Sequence, residues 1–296
     1  MTAADRAATE AFAPAKINLT LHVTGRRADG YHLLDSLVVF AALGDRIWLR
    51  PAKRPSLTVT GPMAAGVPED GRNLALRAAG LAGAEGLAIT LEKHLPAAAG
   101  IGGGSSDAAA VLRALGAAER IEVDDLMALG ADLPVCMAAR PARMQGAGES
   151  VEPVPGIPPL PAVLVNPGVA LSTGAVFRAM SCFGPPMPEI PGFSDVRDCA
   201  TWLGDQRNDL QAPACALAPE VGACLAALED AGALLARMSG SGATCFGLFA
   251  APDEAERAAA RIGAAHPGWW VRATQLAGSD GRAGAGRADQ ERRATT

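Results

Sequence analysis

The first fifty residues are dominated by a two-residue alternation of polar and apolar side chains. The run AKINLTLHVTG at 15–25 alternates as a half-buried strand does, the polar stretch RRADGYH at 26–32 interrupts it, and LLDSLVVFAALGDRIWLR at 33–50 returns to a strand-like course. Two shorter runs, SLTVTG and GLAITLEKHLP, predict further strands, and NLALRAAGLAGA between them predicts a helix that begins near Asn73. The opening of the chain is therefore predicted to be rich in β-strands.

A change to helical periodicity follows a run of glycines. The stretch AAAGIGGGSSDAAAVLRALGAAERI begins with glycine and serine and continues as an apolar-periodic, helix-forming segment over 108–118. VDDLMALG predicts a second helix that is closed by Gly130. Strands and helices mixed in this irregular order are typical of an α+β protein.

The proline-rich segment at 151–163 is the predicted junction between two domains, because prolines are unsuited to a helix or to the interior of a strand. We expect an N-terminal domain over 1–160 and a C-terminal domain over 161–277, the latter with elements such as the helical EVGACLAALEDAGA and the strand-like WWVRATQL. The Gly-, Ala- and Arg-rich tail at 278–296 has little to bury and is predicted to be disordered.

Composition narrows the classes of function. The net charge of −5, with no dense basic block, is unlike that of a nucleic-acid-binding protein. No apolar stretch approaches the ~20 residues that a bilayer span needs, and the N-terminus lacks the regions of a signal peptide, so a cytoplasmic protein with no membrane partner is predicted. The six cysteines are scattered without metal-ligand spacing, which favours buried thiols over zinc ligands.

The glycine-serine segment at 100–107 has the chemistry of an anion-binding loop. Glycines let backbone N–H groups approach an oxyanion closely, and the following helix offers unpaired N–H groups and the positive end of its dipole. The segment is not a Walker A loop, because no Gly-Lys-Ser/Thr ends it, and Ser105 stands where a dinucleotide-binding loop has its third glycine. Phosphate is the expected ligand, and a flexible turn with a serine helix cap is the structural alternative.

Three short motifs occur in the order typical of the GHMP kinases: PAKINL at 14–19, AAAGIGGGSSDAA at 97–109 and SGSGATCF at 239–246. The chain resembles that superfamily from about Phe12 to about Leu276. The resemblance implies an α+β GHMP kinase fold, with an N-terminal domain similar to the ribosomal S5 domain 2-like fold, a ferredoxin-like C-terminal domain and the active site between them.

Within the superfamily, PAKINLTLHVTGRRADGYHLLDS is similar to kinases that phosphorylate the 2-hydroxyl of a cytidine-diphosphate-linked methylerythritol in the non-mevalonate isoprenoid pathway. The resemblance implies that Lys16 and Asp132 are catalytic. A carboxylate within ~3 Å of the acceptor hydroxyl can take its proton while an ammonium stabilises the developing charge. The residues implied for the acceptor are Asn18, Tyr31, His32, Asp132, Thr173 and Phe177.

Recognition of a pyrimidine is expected at Tyr31 and His32. An aromatic face can stack on the base, and an imidazole can hydrogen-bond to its edge. The resemblance implies that Phe177 covers the opposite face of the cytosine.

For the phosphoryl donor, the resemblance implies ATP with Mg²⁺. The residues that it assigns to ATP are Asn73, Leu74, Lys93, Gly100, Gly102, Gly103, Gly104, Ser105 and Ser106. Magnesium is expected on chemical grounds to offset the charge of the phosphates, and Ser106 is the candidate ligand. The protein is expected to be a monomer or a weak homodimer.

Other interpretations remain open at this point. Taken alone, Asp132 could be a helix N-cap before a proline, and Lys16 an ordinary surface charge. Another GHMP kinase, of the mevalonate-pathway or homoserine type, would share these two residues but would have no use for Tyr31, His32 and Phe177. A non-catalytic nucleotide-binding module is a further alternative, which the acidic charge and the lack of interleaved aromatic and basic residues disfavour.

Overall fold

A computed structural model gives the structure of residues 8–277, so the tail predicted at 278–296 lies outside the described residues. The described chain forms an eleven-stranded sheet with helices packed against it. The strands are β1 (Thr9–Asn18), β2 (His22–Arg26), β3 (His32–Pro51), β4 (Ser56–Thr60), β5 (Leu87–Glu92), β6 (Ala142–Gly146), β7 (Ser150–Pro153), β8 (Leu160–Asn166), β9 (Leu235–Met238), β10 (Cys245–Leu248) and β11 (Trp270–Leu276).

The helices connect these strands and cover the sheet. They are α1 (Leu74–Leu81), α2 (Gly103–Ala114), α3 (Val123–Leu129), α4 (Leu133–Ala138), α5 (Thr173–Arg178), α6 (Val196–Gly204), α7 (Gln211–Leu217), α8 (Pro219–Asp230) and α9 (Pro252–Ala265). Within residues 8–277 no single helix has the length and apolarity to cross a membrane; only α7 and α8 taken together meet that standard, and they are bent by 119° at their break.

The long strand β3 organises the N-terminal half. It pairs antiparallel with β1, β2, β5 and β6, and β5 pairs in parallel with β4. Its middle section at 35–41 is buried throughout, as expected of a strand that is covered on both faces. Helices α1 and α2 pack on each other, and α2 packs on β1.

The C-terminal half continues the sheet in the order β11-β8-β10-β9, and the pairing of Leu276 with Ala41 joins it to β3. One buried apolar cluster contains residues from both halves of the chain, among them Ile17 of β1, Leu164 of β8 and Phe246 of β10. The chain passes from β7 to β8 through residues 154–159, inside the proline-rich segment. The division into domains near residue 160 stays a prediction.

Most long elements agree with the sequence pattern, including the strands before residue 50 and a helix capped by Asn73. The predicted start of the next helix is wrong: α2 begins at Gly103, not Ala108, because Gly102 adopts a left-handed φ of 64° and turns the chain directly into the helix.

Three further departures have local causes. Pro161 is the second residue of β8, so a proline is tolerated near the start of this strand. The short hairpin of β6 and β7 was not predicted, since strands of five and four residues carry too little periodicity. Helix α6 was also missed, although Asp195 caps it by accepting from the N–H groups of Arg197 and Asp198.

Candidate active site

Lys16 and Asp132 come together from separate segments of the chain. Lys16 lies in β1, just past an irregularity in its pairing with β3, and its side chain is almost fully buried, so the interpretation as a surface charge is wrong. Asp132 precedes α4 with its side chain 35% exposed, and its Oδ2 lies 3.2 Å from Lys16 Nζ. Because this side chain makes no capping hydrogen bond to α4, the interpretation as a simple N-cap is also wrong. The pair presents an accessible carboxylate beside a buried ammonium.

A chain of buried hydrogen bonds fixes the Lys16 ammonium. Lys16 Nζ donates to Asn18 Oδ1 at 2.7 Å, and Asn18 Nδ2 donates to Ser36 Oγ at 2.8 Å. The Ser36 hydroxyl donates in turn to the carbonyl of Thr20, which orients the chain of bonds. Asn18 is fully buried and its side-chain oxygen holds the Lys16 ammonium, while its expected contact with the acceptor stays a prediction.

The glycine-serine segment lies against the Lys16 side chain. The Lys16 N–H donates to the Ile101 carbonyl at 2.9 Å. A Cβ at Gly102 would lie 3.1 Å from both Cβ and Cε of Lys16, a tight approach, and the left-handed φ of Gly102 favours glycine at this position. The first N–H groups of α2, which have no partner within a helix, therefore start beside Lys16.

The third motif closes the other side of this segment. A Cβ at Gly100 would lie 2.5 Å from the Ser239 carbonyl oxygen, and Ser239 Oγ donates to the Gly100 carbonyl at 3.0 Å. The Asn18 N–H donates to Ser239 Oγ at 3.1 Å. The three motifs that are far apart in the sequence thus meet at one place.

The residues expected near the adenine lie at the start of α1. Asn73 Oδ1 accepts from the Ala75 N–H at 2.9 Å, and its Nδ2 donates to the Pro68 carbonyl at 2.8 Å, so backbone groups engage both ends of this side chain. Leu74 lies beside the glycine segment, because a Cβ at Gly104 would be 3.5 Å from its Cδ1. The structure therefore brings Leu74 to the loop and uses the Asn73 side chain as a helix cap.

Lys93 is held in a buried cluster with two carboxylates. Its Nζ pairs with Asp45 and lies 2.8 Å from Asp107 Oδ2. A Cβ at Gly103 would lie 3.6 Å from this ammonium, so the cluster sits next to the first turn of α2. Asp45 also accepts from two backbone N–H groups that follow Lys93, whereas Asp107 Oδ1 has no partner among the described residues.

The two carboxylates share one ammonium unequally. Burial raises the pKa of Asp107 to about 7, against the attraction of Lys93, and the charge of Asp45 adds to the rise. Burial lowers the pKa of Lys93, but Asp107 and Asp45 outweigh burial and raise it. Lys93 was expected at ATP. That role stays a prediction, and in the structure its ammonium ties the end of β5 to β3 and α2.

The serines of the loop differ in their surroundings. Ser106 is fully buried and its Oγ donates to the Pro14 carbonyl at 2.6 Å, and its expected role as a Mg²⁺ ligand stays a prediction. Ser105 is partly exposed, and a Cβ at Gly130 would lie 3.3 Å from its Oγ, which places it near the turn that leads to Asp132. Among residues 8–277, no group of three or more His, Cys, Asp or Glu side chains could hold a metal ion.

The residues expected at the cytosine form an aromatic group. His32 and Phe177 stack with their ring centroids 4.4 Å apart and their planes at 21°. Because stacked layers pack about 3.5–4 Å apart, a base cannot lie between these two rings as they stand. Tyr31 is 53% exposed and offers an open aromatic face, while Phe177 as the opposite wall stays a prediction.

The aromatic group has two further features: the pKa of His32 and a contact with the third motif. Burial lowers the pKa of His32, with a contribution from Arg26, which favours the neutral imidazole near pH 7. The Thr173 hydroxyl lies 2.8 Å from Ser241 Oγ, so the helix that carries Phe177 is tied to the third motif.

Three residues that contact the expected site residues were not predicted from the sequence. Ser36 and Asp45 were not singled out, although a charged residue within the apolar run LVVFAALGDRIWL was a signal for a buried ion pair. Phe183, whose ring centroid lies 6.1 Å from that of His32, had no sequence signal, because its segment carries no motif.

Models of known protein families match two regions of the chain. The model for the GHMP kinase N-terminal domain matches residues 73–142, and that for the GHMP kinase C-terminal domain matches residues 188–268. A 4-diphosphocytidyl-2-C-methyl-D-erythritol kinase from Dinoroseobacter shibae is 60% identical over 272 residues, covering 90% of this chain and 94% of the relative. The Paracoccus denitrificans protein of the same description is 60% identical over 267 residues, with 90% and 96% covered.

Solved structures give the same result. A crystal structure of a 4-(cytidine 5′-diphospho)-2C-methyl-D-erythritol kinase is 38% identical, has a TM-score of 0.74 and covers 91% of this chain and 100% of its own. A homoserine kinase from Cytophaga hutchinsonii is 18% identical with a TM-score of 0.62, covering 91% of this chain and 95% of its own, and shares the fold alone. The expected α+β GHMP kinase fold is confirmed.

Proposed function

Because the chain belongs to the 4-diphosphocytidyl-2-C-methyl-D-erythritol kinase family of the GHMP kinases, we propose that it transfers the terminal phosphoryl group of ATP to the 2-hydroxyl of 4-diphosphocytidyl-2-C-methyl-D-erythritol. The reaction is a step of the non-mevalonate route to isoprenoids. One observation carries the proposal: an accessible carboxylate, Asp132, stands 3.2 Å from the buried ammonium of Lys16 at the start of the glycine-flanked helix α2.

In this mechanism Asp132 is the proton acceptor. It takes the hydroxyl proton as the acceptor oxygen bonds to the terminal phosphorus and the bond from that phosphorus to ADP breaks. Lys16 stabilises negative charge on the transferring group. Since phosphoryl transfer depends mainly on positioning and electrostatics, the hydrogen bond from Lys16 to Asn18 is part of the machinery.

The phosphates of ATP are assigned to the segment from Gly100 to Ser106. The left-handed backbone at Gly100 and Gly102 and the free first N–H groups of α2 support this assignment. Leu74 is assigned to the adenine on its closeness to Gly104. The described residues offer no dedicated carboxylate site for Mg²⁺, so we propose that the ion enters with the ATP phosphates.

The cytosine is assigned to the aromatic group at Tyr31, His32 and Phe177. The exposed face of Tyr31 supports stacking, and the lowered pKa of His32 supports a neutral imidazole that hydrogen-bonds to the base. This aromatic group distinguishes the proposed activity from that of a mevalonate or homoserine kinase, whose acceptor contains no pyrimidine. The cytoplasmic location and the monomeric or weakly dimeric state stay predictions from the sequence.

A panel of acceptors tests the proposal. Purified protein is incubated with ATP and Mg²⁺ and with the diphosphocytidyl-methylerythritol compound, mevalonate or homoserine in turn, and ADP release is recorded. We expect turnover with the cytidine compound alone. Turnover of mevalonate or homoserine, with none of the cytidine compound, would overturn the assignment.

A further inference from the structure

Phe183 is one of five large hydrophobic side chains that are exposed among the described residues, and it stands next to the expected cytosine site. It is 50% exposed, and its ring meets the His32 ring edge-on, at 6.1 Å between centroids and 64° between planes. We propose that Phe183 is a further specificity-determining residue, an additional aromatic wall that covers the bound cytosine. This inference rests on the proposed function.

The segment that carries Phe183 is anchored although it lies in neither a helix nor a strand. The Gly184 N–H donates to the Val23 carbonyl at 3.0 Å, and the Arg207 guanidinium donates to the Pro185 carbonyl. A Cβ at Gly184 would lie 2.3 Å from Arg207 Nη2, so a larger residue there would displace this guanidinium. Phe183 is thereby held at a set position beside β2 rather than left to move with a free loop.

A second anchor follows four residues later. Met187 is buried, and its N–H donates to Asp35 Oδ2 at 3.0 Å while its carbonyl accepts from Arg143 Nη2 at 2.7 Å. Arg143 and Asp35 also form an ion pair at 2.7 Å. The first anchor runs to β2, and the second runs to β6 and to β3, the strand that carries His32, so the position of Phe183 relative to that imidazole is determined by the sheet.

Chemistry points to a base as the group that Phe183 covers. Single exposed hydrophobic residues are common and need no explanation by themselves. Phe183, however, lies in contact range of a ring stack, His32 on Phe177, and the exposed Tyr31 precedes His32 in the chain. Aromatic side chains that converge from separate segments are the surface on which a planar base gains stacking and edge contacts. An aromatic wall at this position would also keep water from the hydrogen bond between His32 and the base.

The test separates affinity for the base from the chemistry of transfer. Binding of cytidine 5′-diphosphate, which carries the base without the acceptor hydroxyl, is measured by calorimetry for the wild type, Phe183→Ala and Phe183→Leu. KM for the cytidine acceptor, KM for ATP and kcat are measured for the same proteins. Leu81→Ala serves as the matched control, because Leu81 is also an exposed hydrophobic residue and lies at the end of α1.

We expect Phe183→Ala to weaken cytidine 5′-diphosphate binding and to raise the acceptor KM about tenfold, equivalent to ~1.4 kcal/mol, with ATP KM and kcat within twofold of wild type. Phe183→Leu keeps an apolar side chain but lacks the ring, so its affinity for cytidine 5′-diphosphate and its acceptor KM should lie between those of wild type and Phe183→Ala. An Ala variant that binds the diphosphate as tightly as wild type, or that raises both KM values equally, overturns the inference. Failure of the wild type itself to phosphorylate the cytidine acceptor would instead refute the proposed function.

Discussion

Replacing Asn18 with alanine tests whether the ammonium of Lys16 must be held in place. The Asn18 amide supplies one of the two polar partners of the Lys16 Nζ, at 2.7 Å, and the other is the Asp132 carboxylate at 3.2 Å. A hydrogen bond to a charged group contributes about 1.5–3 kcal/mol, and each 1.36 kcal/mol is a factor of ten in rate. If the ammonium acts mainly in the transition state, Asn18→Ala should lower kcat by about 10- to 100-fold while both KM values stay within about threefold.

Ser36→Ala should cause a smaller loss of kcat than Asn18→Ala. It removes the acceptor of the Asn18 Nδ2 bond at 2.8 Å and the donor to the Thr20 carbonyl. The bond to Asn18 is a neutral interaction of about 1 kcal/mol, so we expect kcat to fall by about fivefold. Steady-state kinetics of ADP release are measured beside thermal melts, because both variants also lose buried hydrogen bonds. Asn166→Ala is the control, since this buried amide bonds to Thr244 and to Gly168 and not to Lys16.

The control should lose stability and keep its kcat. A folded Asn18→Ala protein with kcat within twofold of wild type would refute the idea that Asn18 positions the ammonium. A control that loses as much kcat as Asn18→Ala would show that the effect is one of general stability.

Three further predictions follow from the buried cluster and the aromatic group. Lys93→Met leaves Asp45 and Asp107 without their shared cation and should lower the free energy of unfolding by about 3–5 kcal/mol in urea titrations; an unchanged midpoint would contradict the account. Because burial raises the pKa of Asp107 to about 7, the folded protein keeps a proton that the unfolded chain releases near pH 4, so this contribution to stability is present at low pH and is lost as pH rises through 7. The Tm of Asp107→Asn minus the Tm of wild type should therefore increase from pH 5 to pH 8. A difference in Tm that does not change with pH would refute the assignment. Tyr31→Ala should raise KM for the cytidine acceptor far more than KM for ATP, and equal increases would argue against stacking on Tyr31.

The parts of the fold that could be predicted from the sequence are those with local causes. The alternation along β1 and β3, and the Asn73 cap with the helix behind it, depend on neighbours in the chain. The start of α2 was misplaced because glycine's low helix propensity favours a loop, whereas the packing of Gly102 on Lys16 brings the helix forward.

The site could be predicted only in part, because its geometry is non-local. Resemblance identified Lys16 and Asp132 as a pair, but no spacing rule gives the contact between β1 and the residue before α4. Asn18 and Lys93 carried the right chemistry for a ligand, yet both turn their polar groups toward buried protein partners. Whether a polar side chain faces a ligand or supports its neighbour depends on burial, which the sequence alone does not report.

The central claim is that the carboxylate of Asp132 accepts the proton of the alcohol to be phosphorylated. The most direct measurement is single-turnover transfer from ATP to the cytidine acceptor by Asp132→Asn, with the binding of both substrates measured independently. General base catalysis contributes about 10²–10⁴-fold, so the transfer rate should fall by that factor while both substrates bind within about threefold of wild type. A transfer rate within tenfold of wild type would contradict the account.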